Sequence, residues 1–156
     1  MRFSEWLDLV PADRAVAVLM RHAERNPIES VRDSLEARLT AKGIKDSELL
    51  GRELSGFPRI ELHHSPVERC RQTARAIATG CTDAGGNASV FGSDTILGGP
   101  YMLDWRRAMA LVMERGAGWF VKKWFTGELE PGLVTDAHEA ARQQLENLAD
   151  VYHVRL

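Results

Sequence analysis

The sequence predicts an α/β fold, a three-layer sandwich in which helices cover both faces of a mostly parallel sheet. Two observations lead there. Short segments of strand character alternate along the chain with longer segments of helical period, the order expected when parallel strands are joined by crossover helices. Two of the expected strands also run directly into arginine-bearing loops, and the carboxyl ends of parallel strands are where such sheets bind ligands. At 156 residues the chain falls within the roughly 100–200 residues of one domain, and residues 1–156 are read as one domain able to bury a core without disulfides or metals.

The first expected strand is Ala15–Met20, AVAVLM, a continuous apolar run suited to burial on both faces. A polar stretch containing Pro27 follows. Thr40 is the expected N-cap of a helix over Ala41–Leu54, with Ile44, Leu49, Leu50 and Leu54 as its apolar stripe and Gly56 and Pro58 as its stop. Arg59–His64 alternates like a second strand. Ser65-Pro66-Val67-Glu68 then combines a favoured N-cap, a proline at the first helical position and a glutamate completing a capping box. The helix it opens is expected to run to about Thr79 and end at Gly80. The segment DAGGNAS reads as a loop and SVFGSDTILGG as a weaker strand. Asp104 is the expected cap of a helix through Arg115, another helical piece covers Trp119–Phe125, and Asp136 with Glu139 repeats the capping-box spacing before a helix to about Val151. Tyr152–Leu156 is expected to open one more strand.

Composition narrows the function. Twenty basic against 22 acidic side chains give a net charge of −2, so there is no basic excess to neutralise nucleic-acid phosphates or an anionic membrane at large. No apolar run reaches bilayer length, and the acidic residues Glu5, Asp8 and Asp13 are wrong for a secretory signal. Cys70 and Cys81 form neither a disulfide framework nor a CxxC pair. A cytoplasmic protein without nucleic-acid or membrane partners is expected.

The chemistry concentrates in the two loops. Arg21-His22-Ala23-Glu24-Arg25-Asn26-Pro27 follows the first expected strand, and Ser65-Pro66-Val67-Glu68-Arg69 follows the second, placing Arg69 in the first turn of a helix. Three guanidiniums converging on a helix N-terminus would hold a phosphate dianion through charge-assisted, bidentate hydrogen bonds. Like charge around His22 should lower its pKa and keep the imidazole neutral, as a nucleophile toward phosphorus requires. The same arginines would meet the charge on the equatorial oxygens in the transition state.

These residues resemble those of the histidine phosphatase superfamily, with its phosphoglycerate-mutase-like fold. Arg21-His22-Ala23 stands where the family has Arg-His-Gly. RHAERNP is similar to the RHGxRxP signature of the acid phosphatase branch, while LTAKG (Leu39–Gly43) and SPVERCRQTA (Ser65–Ala74) resemble the LTxxG and SPxxRxxQTA elements of the smaller phosphatase and mutase branch. The resemblance spans about Val18–Ala78. It implies phosphoryl transfer to His22 from a phosphorylated small molecule or phosphoprotein, then hydrolysis by water, with Arg21, Arg25 and Arg69 on the phosphate and no metal or other cofactor. The family also uses a second pocket histidine after a late strand. His138 and His153 sit in the wrong places for it, so the chain is expected to be truncated at its C-terminus. Two alternatives stay open: a non-catalytic phosphate-binding relative, or a mutase that returns the phosphoryl group to its substrate.

Other residues have plainer readings beside the functional ones. Glu24 is a candidate general acid or substrate contact, or a solvated loop charge. Tyr101, with Asp104 and Trp105, is a candidate substrate wall or part of a helix entry. His63 and His64 are neighbours on a strand and so face opposite sides. His138-Glu139 lacks the second histidine of HExxH, because Arg142 occupies that position. Trp119, Phe120, Trp124 and Phe125, at helical spacing around Lys122 and Lys123, are expected to cover the core.

Overall fold

A computed structural model describes residues 16–31, 33–99 and 101–152. Its elements are α1 (Asp33–Glu36), α2 (Ala41–Leu54), β1 (Ile60–His64), α3 (Glu68–Asp83), β2 (Ala88–Ser93), a 3-10 turn (Thr95–Gly98), α4 (Trp105–Arg115), α5 (Ala117–Phe125) and α6 (Ala137–Tyr152). The chain divides into two compact units. One comprises Met1–Pro27 with Glu36–Asp94, the other Ile28–Leu35 with Thr95–Leu156.

In the first unit β1 and β2 pair in parallel, with Ile60 opposite Ala88 and His64 opposite Ser93. The register gains one residue on β2 between Val90 and Ser93, a bulge opposite His63. The crossover between these strands is α3, which packs against both and against α2, as parallel pairing demands. Helix α2 has the predicted bounds because Thr40, in extended conformation, accepts the Gly43 N–H with its hydroxyl at 3.0 Å.

Its buried face differs from the expected one. Ile44 and Leu49 are exposed, and Gly43, Ser47 and Gly51 are buried instead. These small residues recur every four positions, and at Gly51 the ridge lets α2 approach α3 backbone to backbone. A Cβ on Gly51 would overlap the Ile77 carbonyl, and one on Gly80 would overlap the Glu48 carbonyl. Gly80 therefore marks a helix crossing and not a helix end, and α3 continues to Asp83.

Two further expectations are corrected. Ser65 does not cap α3, which begins at Glu68 with Val67 in the N-cap position and no side-chain cap. Ser65 is buried directly after the end of β1, three residues before the helix begins. Val16–Met20 forms no strand ladder, and Val16, Val18, Leu19 and Met20 are exposed. An apolar run becomes a buried strand only where partners cover it, and none does so among the described residues. The structure is accordingly of mixed α/β type with a two-stranded parallel sheet.

The second unit is built around Ala108, Phe120 and Leu133, with Met102, Leu111, Val112 and Trp119 packed on them. Asp104 caps α4 as predicted, accepting the Arg107 N–H at 3.1 Å. Gly116, at φ +87°, turns the chain from α4 into α5 in a conformation that other residues resist. Asp136 accepts the N–H groups of His138 and Glu139 at the start of α6. The Glu139 carboxylate turns to Arg142 and Gln143 in place of closing the box. Tyr152 ends this helix and opens no strand; the remainder of that expected strand, like Ala15, lies outside the described residues.

Candidate functional site around His22

The loop Arg21–Pro27 is held on two sides. On one side the segment Arg38–Thr40 runs beside it. The Thr40 N–H donates to the Glu24 carbonyl at 3.0 Å, the Asn26 N–H donates to the Arg38 carbonyl at 2.9 Å, and Arg25 and Leu39 form an antiparallel bridge. Gly43 sits so close beneath this crossing that a Cβ there would overlap the Glu24 carbonyl. On the other side stands the first part of α3. The Ala23 N–H donates to Thr73 Oγ1 at 3.1 Å, and the Leu39 N–H donates to Gln72 Oε1 at 2.8 Å. Arg69 lies one turn before Thr73, in the opening turn of the helix.

This clamp brings His22 and three arginines together. His22 is half-buried, and its pKa is lowered from the ordinary 6.5 by burial first and then by the positive charges of Arg69, Arg21 and Arg25. A hydrogen bond to the Ala23 carbonyl acts in the opposite direction. Arg69 is likewise held below its ordinary value, chiefly by burial, with Arg25 and Arg21 adding to it. His22 Nδ1 lies 2.8 Å from the Ala23 carbonyl oxygen. A carbonyl only accepts, so Nδ1 carries the proton and the neutral ring has its lone pair on Nε2. A neutral imidazole with a free Nε2 beside three guanidiniums is suited to a tetrahedral dianion.

The remaining candidates fall into place around this centre or apart from it. The Glu24 carboxylate accepts the Thr40 hydroxyl at 2.8 Å, which ties the side chain to the same junction as its carbonyl. Arg25 gives one guanidinium N–H to the Asn26 carbonyl at 2.8 Å. Tyr101 belongs to the second unit, where its ring stacks on Trp124 at 4.7 Å between centroids. His64 is buried with Nδ1 2.8 Å from the Ser65 carbonyl, while His63 stacks on Phe91. Cys70 and Cys81 are both free thiols, and Cys81 is fully buried.

Sequence reasoning missed two contributors, Gln72 and Thr73. Their signal was the QTA that follows Arg69, one helical turn from it and so on its face. Among the described residues there is no cluster of three or more His, Cys, Asp or Glu placed to hold a metal ion, and no helix is long and apolar enough to cross a membrane.

Comparison with the curated proteins and with the solved structures returned no match. A family model does match, over residues 17–84. Those residues contain the His22 loop, the Thr40-capped helix and the Arg69 turn, and over this segment the chain is similar to the histidine phosphatase superfamily (branch 1).

Proposed function

We propose that the chain hydrolyses a phosphomonoester or a phosphohistidine, on a small molecule or a protein, through a phosphohistidine formed on Nε2 of His22. The observation that carries this reading is the half-buried imidazole, fixed through Nδ1 and surrounded by the charges of three arginines. In the first step Nε2 attacks phosphorus and the bond to the leaving group breaks, P–O in a phosphomonoester or P–N in a phosphohistidine, the leaving group taking a proton from solvent. In the second, water attacks phosphorus, the P–N bond breaks, inorganic phosphate departs and His22 is restored. Arg21, Arg25 and Arg69 bind the phosphoryl oxygens and stabilise the charge that spreads over them. Glu24 is the proposed substrate contact, and no metal takes part. A three-layer sandwich and a cytoplasmic location complete the reading, the latter in keeping with two free cysteines.

The test is to incubate the chain with a small phosphodonor and look by mass spectrometry for an acid-labile phosphoryl group on His22. Labelling that disappears in a folded His22→Ala variant supports the proposal. Phosphate binding without labelling by any donor identifies a phosphate-binding protein in its place. An isomerised phosphoester product without free phosphate identifies a mutase.

A further inference from the structure

Ala23 and Thr73 are fifty residues apart in sequence and are joined by a single hydroxyl. Thr73 is 5% exposed, and its Oγ1 makes two bonds. It donates its proton to the Arg69 carbonyl at 2.8 Å and accepts the Ala23 N–H at 3.1 Å. The first bond directs the second. A hydroxyl has one proton, and spending it on the preceding helical turn leaves only lone pairs to offer the loop. The peptide held in this way is the one beside the nucleophile, and the carbonyl of the same residue, Ala23, orients the His22 ring. One side chain thus touches the residue that aims the imidazole and the backbone of the arginine that stands next to it.

We propose that Thr73 is a positioning residue, whose hydroxyl fixes the His22 loop against the Arg69 turn and so sets the spacing at which imidazole and guanidinium meet a phosphate. The inference rests on the reading of His22 and Arg69 given above. The remaining contacts of the clamp do not depend on it. Gln72 holds Leu39, and Thr40 holds Glu24, so loss of the Thr73 hydroxyl leaves the loop attached and relaxes only its register toward Arg69.

The experiment compares Thr73→Val, which keeps the shape and removes the hydroxyl, with Thr73→Ser, which keeps the hydroxyl. Three quantities are read: inorganic phosphate affinity by calorimetric titration, the titration midpoint of His22 by NMR, and the rate of His22 phosphorylation. Valine is expected to weaken phosphate binding and slow labelling, each on the order of tenfold, and to raise the His22 midpoint as the Arg69 charge recedes. Serine is expected to restore all three. A threonine with only a structural role would lower the melting temperature of the valine variant while leaving affinity and midpoint unchanged. That result, or equal behaviour of valine and serine, overturns the proposal.

Hydrogen exchange at the Ala23 amide of the unmutated chain supplies a check that needs no variant to fold. Slow exchange is expected, and exchange at the rate of a free peptide overturns the inference. Affinity and midpoint need no turnover, so the two claims can fail separately. A valine effect on both in a chain that never labels preserves the role of Thr73 and removes the catalytic reading, whereas labelling at an unchanged rate in the valine variant does the reverse.

Discussion

His22 illustrates how a single side chain can be tuned by its surroundings. Burial and three like charges all favour the neutral ring, and only the neutral ring is a nucleophile. Phosphorylation of His22 is therefore expected to rise with pH through a midpoint below 6.5, as initial labelling rates across pH will show. Arg69→Gln removes one of the like charges, so the midpoint should move upward. It should stop short of 6.5, because burial is the larger cause. The same shift bears on folding. With a folded pKa below the unfolded one, His22 is more easily protonated in the unfolded chain, so its contribution is complete above pH 6.5 and declines as pH falls through the window beneath. Residue types and spacing in two loops were enough to single out His22, Arg21, Arg25 and Arg69. Thr73 was not legible in the same way, because a hydroxyl announces no chemistry until its partner, fifty residues away, is known.

At the scale of elements, two cap signals held where the one at Ser65 did not. Thr40 caps α2 and Asp104 caps α4, both as predicted. Thr40→Ala is expected to cost about 1 kcal/mol of stability, measurable by urea denaturation, and to release the Glu24 carboxylate as well. Glycines were harder to read, since the same residue serves turns, caps and close approaches. Gly80 resembled a stop because it follows an apolar helical stretch, yet it lies where α3 crosses α2. Gly51→Ala and Gly80→Ala should each destabilise by about 1–3 kcal/mol or more through overpacking. Gly56→Ala, with open space around the glycine, should be close to neutral; equal midpoints for all three variants would contradict the tight crossing.

At the scale of the whole chain, each unit has buried apolar residues among those described. Ile77 lies at the centre of the α2–α3 packing, and Phe120, 3% exposed, anchors the cluster with Ala108 and Leu133. Phe120→Ala should cost about 3–5 kcal/mol, read from denaturant unfolding followed by a probe in the second unit such as Trp124 fluorescence. The aromatic run from Trp119 to Phe125 was expected to cover a core, and Phe120 and Trp119 do so, although Phe125 is exposed. By itself the sequence determined the caps at Thr40, Asp104 and Asp136, the limits of α2, α4 and α5 to within a few residues, and the cationic side chains that lie around His22. Each depends on residues close in sequence or on chemistry inherent in the side chain. The tertiary structure alone decided that Val16–Met20 forms no ladder, that Gly43, Ser47 and Gly51 are buried in α2 while Ile44 and Leu49 are exposed, that Gly80 lies within a helix, and that Thr73 joins the two loops. These outcomes depend on which distant backbone comes near, and a partner remote in sequence leaves no local periodicity to read.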